Sequence, residues 1–270
     1  MIRPTTTATS SNITAPRRAS SPAVPGAPVA SLSWDNTPAP VGHGDRFLVL
    51  AAHELRTPLS RLHGHLELLQ TLRAEGVLST DLLDRSLGRM DAAVVALTTL
   101  LGDLVQLARL DTGQLPLRGE PRDLARLVID AVATFAERQQ ATRQFCLDVD
   151  SSVGTVVADE LALGRVLDNL LENAVKYSPD GGEVHVRLTR DVGGCMLEVR
   201  DEGIGLPSGT AERIFEAFTR ADNARALGVS GAGLGLYICH RIVESHGGQM
   251  WAESAGEGRG TAIKVWLPAV

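Results

Sequence analysis

The apolar positions of the first third of the chain fall into two helical seams. Leu55, Leu59, Leu62, Leu66 and Leu69 recur at alternating spacings of four and three, and Ala52 extends the register backwards. Leu83, Leu87, Met90, Val94, Leu97, Leu101 and Leu104 repeat the rhythm. Such alternation keeps one stripe of a helix turned to a partner. The first seam predicts a helix from about Asp45 to Ala74, broken at Glu75-Gly76. Ser79 or Thr80 caps a second helix that ends near Thr112-Gly113. An antiparallel hairpin follows. Its seams are too apolar to stand alone, which predicts a homodimer built on a four-helix bundle; a monomeric hairpin packed on the next domain is the alternative.

From Leu115 onward strands and helices alternate. The pattern predicts strands near 144–149, 154–158, 183–189, 196–201, 248–253 and 261–267, with helices over roughly 122–140, 159–177 and 233–246. Helices layered on one face of a mostly antiparallel sheet make an α+β sandwich. Residues 1–45 are different: Thr5 to Thr14 is almost all Thr, Ser and Ala, and prolines recur at 16, 22, 25, 28, 38 and 40. That segment buries too little apolar area to offset its ordering entropy and is expected to be a disordered tail. The expected organisation is a tail (1–45), a helical hairpin (46–113) and a second domain (114–270).

Composition narrows the function classes. The chain has 270 residues and a net charge of −6, without a dense basic cluster, which speaks against nucleic acid as a partner. Cys146, Cys195 and Cys239 are scattered, odd in number and without metal-ligand spacing, and read as reduced, packed thiols. No unbroken apolar run approaches the ~20 residues of a membrane span, the longest comparable stretch being Phe47 to Ala52. A cytoplasmic protein is expected.

His53 falls one position past Ala52, so it faces solvent beside Glu54. Pro58 cannot donate to the Glu54 carbonyl, which predicts a bend just after the histidine. A lone helical histidine is most often surface decoration, and His63 and His65 keep that reading. The surrounding Ala-Ala-His-Glu-Leu-Arg-Thr-Pro-Leu-Ser of residues 51–60 resembles the H-box of sensor histidine kinases, in which the histidine is the phosphoacceptor. The family's dimerisation and phosphotransfer domain is a hairpin of the same kind.

Further boxes follow in that family's order. Asn169 and Asn173 share a helix face, with Lys176 one turn on and Tyr177 beside it. Amide oxygens are hard ligands suited to Mg²⁺, a lysine neutralises phosphate, and a tyrosine ring offers a face to a base. The string Leu-Asp-Asn-Leu-Leu-Glu-Asn-Ala-Val-Lys-Tyr-Ser-Pro resembles the N-box, which makes Asn173 the metal ligand. Hydrolytic relatives carry a glutamate four residues earlier, where this chain has Asn169, so the resemblance implies transfer of phosphate rather than hydrolysis. Asp201-Glu202-Gly203-Ile204-Gly205 looks like the G1 box, with Asp201 accepting from the adenine amine. Ile214 to Phe218 is similar to the F-box, with Arg220 in the place of a lid arginine. Gly231, Gly233, Leu234, Gly235 and Leu236 resemble the G2 box, although Ala232 stands where threonine is frequent. Amides at a glycine-rich helix start make an anion site, and no βαβ unit supports a dinucleotide-fold reading. The last glycine turn leads into Thr261, and 206–230 reads as an ATP lid.

The resemblance covers about 225 of the 270 residues. It implies the Bergerat-type ATP-binding fold shared by histidine kinases, DNA gyrase and the Hsp90 chaperones, with ATP and Mg²⁺ as cofactors. It implies a dimeric kinase that phosphorylates its own His53, with Glu54 holding one ring N–H, and passes the group to an aspartate of a separate response regulator. Ser60, Arg61, Gly64 and Glu67 would set the choice of regulator. Thr57, three residues after Glu54, would help position a water that dephosphorylates it. Two rival classes are an ATP-binding scaffold without transfer and a relative of the anti-sigma serine kinases. The first conflicts with intact His53, Asn173 and Asp201, and the second with the histidine-bearing hairpin. With only the tail before the hairpin, three alternatives stay open: a separate sensor partner supplies the signal through the first helix, the input has been lost, or the chain is a fragment.

Overall fold

The computed structural model describes residues 43–111, 119–139, 143–150, 152–229 and 231–269. The expected tail up to residue 42 and the expected end of the hairpin at 112–113 lie outside these residues. Two helices of 32 residues come first, α1 (His43–Ala74) and α2 (Thr80–Asp111). Helix α1 ends in a Schellman arrangement: Gly76 N–H donates to Arg73 O and Val77 N–H to Leu72 O. Ser79 Oγ then accepts from Leu82 N at 3.3 Å and caps α2.

The structure divides the apolar seams. In α1, Leu55, Leu62 and Leu69 are half-buried, while Ala52, Leu59 and Leu66, seven residues apart, stay exposed. In α2, Leu83, Met90, Leu97 and Leu104 are half-buried, but Leu87, Val94 and Leu101 are 47–57% exposed. The buried set of α2 also includes Ser86, Ala93, Leu100 and Leu107, which lie outside the predicted seam. One heptad position therefore serves the hairpin, and the other forms an uncovered apolar stripe.

The second domain begins with β1 (Glu120–Asp123), where a helix from 122 was expected. Pro121 fits only an edge strand. Asp123 Oδ1 accepts from Arg126 N at 3.1 Å, so α3 (Leu124–Arg138) starts one residue after this cap. Next come β2 (Gln144–Val149), β3 (Thr155–Ala158), α4 (Glu160–Lys176), β4 (Glu183–Asp191) and β5 (Gly194–Arg200). A 3-10 turn at Arg213–Phe215 and the short α5 (Asp222–Ala226) precede α6 (Gly235–Ser245), β6 (Gln249–Glu253) and β7 (Ala262–Pro268). The main sheet has the order β2-β4-β5-β7-β6, antiparallel except for the parallel pair β2–β4. A two-stranded ribbon of β1 and β3 forms a second sheet, linked to the end of β7 by the bridge between Val156 and Ala269. Val184, Val186, Leu188, Leu197, Val199, Val265 and Leu267 are buried among the core residues of α3, α4 and α6. Alternate residues of the same strands, among them Glu183, Arg187, Glu198 and Lys264 with Met196 and Trp266, form the outer face.

The domain docks on the hairpin. Leu100 and Leu107 of α2 belong to the same buried cluster as Ile238 and Ile242 of α6, and Arg165 donates to Gln106 Oε1. Phe47 of α1 packs against Phe218 with ring centroids 5.2 Å apart. Helix α2 corrects one sequence expectation. Thr80–Arg109 reaches a mean hydropathy of 1.5 over an 18-residue window, so among the described residues one helix is long and apolar enough to cross a membrane by length and composition. Thr98, Thr99, Gly102 and Asp103 interrupt the stretch, so it contains no unbroken apolar run of spanning length. Its apolar side chains have another use, since they face α1, α6 and the exposed stripe.

Candidate active site

Buried Leu163, Val166, Leu167, Leu170, Leu171 and Ala174 fix the rotation of α4 and leave Asn169, Asn173 and Lys176 along its rim. Asp159 Oδ1 accepts from Ala162 N at 3.0 Å. The Asp159 N–H donates to His246 Nε2 at 3.0 Å, and His246 Nδ1 lies 2.7 Å from Ile242 O. The imidazole is thus held as its neutral Nδ1–H tautomer, tying the start of α4 to the end of α6.

Asn173 Nδ2 donates to Asn169 Oδ1 at 2.9 Å, and both residues line the cavity, with the Asn173 Oδ1 as a hard oxygen not engaged in that bond. Helix α6 starts so close that a Cβ on Gly235 would sit 2.3 Å from Asn169 Nδ2. Only glycine lets the helix N-terminus approach the two amides. Lys176 Nζ lies 5.1 Å above the Tyr177 ring. Burial, then the Arg220 guanidinium, lowers the Lys176 pKa, and burial raises that of Tyr177. Arg220 donates to Val229 O, and its buried Nε has no partner. Two cations held together in a half-buried place await an anion.

Asp201 closes the other end and is 7% exposed. Its Oδ1 accepts from Gly203 N at 2.8 Å and Thr261 N at 3.2 Å. Burial raises the carboxyl pKa, opposed by these two N–H groups and by Arg200. The lid is held by Asn223, whose Nδ2 donates to Gly205 O at 2.9 Å and Ile204 O at 3.3 Å. Phe218 adopts φ 61°, and its N–H donates to Gly233 O at 2.9 Å.

Every candidate ligand-binding residue except Gly203 lines one cavity of about 220 Å³. Gly203 acts from behind, through its N–H on Asp201. The cavity joins an acceptor at one end to hard oxygens, a lysine and an arginine at the other. That order suits a purine nucleotide with Mg²⁺ on its phosphates. Sequence reasoning missed Asn223 and the α2 residues Thr99 and Asp103, which also line the cavity. Among the described residues of the hairpin's second helix no motif marks the two; only docking brings them there. Burial raises the Asp103 pKa, with Arg165 opposing and Glu172 reinforcing.

His53 lies elsewhere. Its side chain is 70% exposed, with Nδ1 3.7 Å from Glu54 Oε1, an ion-pair separation too long for a hydrogen bond. Thr57 Oγ1 stands 3.5 Å from the His53 carbonyl. Neither these three residues nor any other of α1 lines the cavity.

Comparison with known proteins agrees with both halves. Residues 45–113 match the His Kinase A (phospho-acceptor) domain, and residues 158–270 match the histidine kinase-, DNA gyrase B- and HSP90-like ATPases. The sensor histidine kinase WalK of Bacillus subtilis is 35% identical over 227 residues, 82% of this chain and 36% of that protein. The signal transduction histidine-protein kinase/phosphatase MprB of Mycobacterium tuberculosis is 40% identical over 230 residues, 83% of this chain and 44% of that protein. The match thus spans 36–44% of the length of these relatives. The solved structure of the Acinetobacter baumannii histidine kinase AdeS is 26% identical, with a TM-score of 0.60 over 80% of this chain and 97% of that one. A phosphoacceptor-type hairpin followed by an ATPase-type sandwich, each with its motif residues in place, marks this chain as a member of the two-component sensor histidine kinases, in the region of their catalytic core.

Proposed function

We propose that this chain is an ATP-dependent protein histidine kinase that phosphorylates His53 and passes the phosphoryl group to an aspartate of a separate response regulator. The observation that carries the reading is the Asn169–Asn173 amide pair, which puts an amide at the position where hydrolytic relatives carry a glutamate, while Glu172 lines the same cavity one residue before Asn173. Asp201 recognises the base, Tyr177 flanks it, and Lys176, Arg220 and the α6 N-terminus hold the phosphates. Asn173 Oδ1 is the protein ligand for Mg²⁺, which supplies charge neutralisation on the phosphates when bound. Glu54 lies on the Nδ1 side of His53, so an approach closer than the present 3.7 Å would hold the Nδ1 proton and leave the Nε2 lone pair to attack the γ-phosphorus. ADP leaves, and the phosphohistidine sheds its extra proton.

Thr99 and Asp103 of α2 wall the cavity while no residue of α1, His53 included, lines it, so transfer within one chain calls for the ATP-binding domain to leave this docked position. The exposed stripes of Ala52, Leu59 and Leu66 and of Leu87, Val94 and Leu101 support a homodimer. The phosphatase named for MprB supports a second activity here, with Glu54 and Thr57 orienting water against the phosphorylated regulator. We place the chain's catalytic core in the cytoplasm, where ATP is available, with its signal arriving from a separate sensor element through the start of α1.

The test is incubation of the chain with radiolabelled ATP and Mg²⁺ beside His53→Ala. Acid-labile label on the parent and none on the variant is the expected result. Label that survives in the variant, or ATP binding with no label on the parent, overturns the assignment.

A further inference from the structure

The parallel pairing of β2 and β4 sets Cys146 opposite His185 and Gln144 opposite Glu183. Alternate residues share a face, so Cys146, Glu183 and His185 lie together on the outer side of the sheet, away from the helices. Phe145, the neighbour of Cys146, turns inward onto Phe135 at 5.8 Å. Glu183 Oε2 is 3.4 Å from Cys146 Sγ and 3.4 Å from His185 Nε2. All three ligand-type atoms fall within 4.8 Å of one another. Zinc bonds of ~2.3 Å to sulfur and ~2.0–2.1 Å to nitrogen and oxygen, at tetrahedral angles, separate ligand atoms by roughly 3.4–3.6 Å. Both measured edges therefore match a tetrahedral site before any side chain moves.

We propose that Cys146, Glu183 and His185 bind one divalent cation of the zinc class, at a site separate from the nucleotide cavity. The donor set is one sulfur, one nitrogen and one oxygen, which suits a borderline-soft ion and excludes Mg²⁺ and Ca²⁺. Metal binding displaces the Cys146 proton to solvent, so thiolate, carboxylate and cation balance in charge. The fourth position goes to water or to Glu202, whose Oε2 already accepts the Glu183 N–H at 3.2 Å. An open recess of about 630 Å³, which Cys146 and His185 help to line, provides entry. The other two cysteines cannot substitute in the folded chain, since Cys195 and Cys239 are 0% and 2% exposed.

Cobalt(II) is the probe, added to the full chain after dialysis against a chelator. The expected result is a sulfur-to-cobalt charge-transfer band saturating at one equivalent and displaced by one equivalent of zinc. Cys146→Ser abolishes the band, and His185→Ala and Glu183→Gln each weaken binding by more than the roughly 10–100-fold lost with an outer-sphere partner. Circular dichroism verifies the fold of each variant, and the last two read the site if the cysteine variant fails to fold. Absence of the band in the folded parent, its persistence in Cys146→Ser, or indifference to both other variants overturns the proposal and leaves a hydrogen-bonded trio only. None of these outcomes depends on phosphotransfer.

Discussion

Replacing Asp201 by asparagine would separate recognition from folding at a single buried group. The asparagine carbonyl oxygen can take over Oδ1 and keep the bonds from Gly203 N (2.8 Å) and Thr261 N (3.2 Å). The amide nitrogen then occupies the Oδ2 position and meets the adenine amine donor to donor. Loss of a hydrogen bond to a charged group costs about 1.5–3 kcal/mol, so ATP binding should weaken roughly 10- to 100-fold. Stability should move the other way. Burial raises the Asp201 pKa in the fold, so its contribution to stability is greatest below the ordinary value of 3.8 and is lost as pH rises through the raised one. At neutral pH the ionised carboxylate therefore costs stability, and the neutral amide relieves it. Calorimetric titration with ATP and with ITP, beside thermal melts of the free protein, reads both effects. Inosine carries a carbonyl oxygen in place of the amine, which the new amide can donate to, so the ITP-to-ATP affinity ratio should rise. Equal losses for the two nucleotides, or a Tm that falls by several degrees, would refute the reasoning.

Four further expectations follow from particular contacts. Gly203→Ala would place a Cβ 2.0 Å from Tyr177 O and disturb the Ile204 N–H bond to that carbonyl; overpacking of about 1–3 kcal/mol predicts a Tm lower by roughly 2–10 °C, and an unchanged melt would contradict the close approach. Thr57→Ala changes an exposed side chain, so stability should stay within about 0.5 kcal/mol; autophosphorylation should persist while regulator dephosphorylation is lost, and joint loss of both would remove the separate role of Thr57. Leu101→Asp puts a charge on the exposed stripe of α2, 57% exposed in the single chain; sedimentation should show dimer turned to monomer, and an intact dimer would place the interface elsewhere. Asp103 has a pKa raised first by burial, so docking of the ATP-binding domain on α2 is favoured at low pH and weakened as pH rises through the raised value. Asp103→Asn should flatten that pH dependence and raise the neutral-pH Tm, which a series of melts across the acid range would check.

Most of the site was legible before folding was considered. The boxes around His53, Asn173, Asp201 and Gly235 are short strings whose chemistry is set by spacings within a helix or a turn, and the structure brings all but Gly203 of the ligand-binding candidates to one cavity. The strand at 120–123 was not legible, because Glu-Pro-Arg-Asp has no apolar alternation and becomes a strand only by pairing with β3. Nor was the division of each leucine seam, since a 4–3 repeat reports that a face is apolar and not which neighbour covers which half of it. The meeting of Cys146 with Glu183 and His185 was not legible for the same kind of reason. Cys146 and its two potential co-ligands are 37 and 39 residues apart, and no ligand spacing within one segment could reveal them.

Helical periodicity, capping and glycine turns act over a few neighbouring residues, so the long helices, the candidate histidine and the strings that line the cavity could be read from the chain's own pattern. Tertiary structure alone decided which edge β2 joins, that Thr99 and Asp103 close the cavity, and that Cys146 meets His185. Those outcomes depend on strand register and on the docking of one domain against another. Their free energy comes from burial and pairing between distant segments, and local patterns carry no record of it.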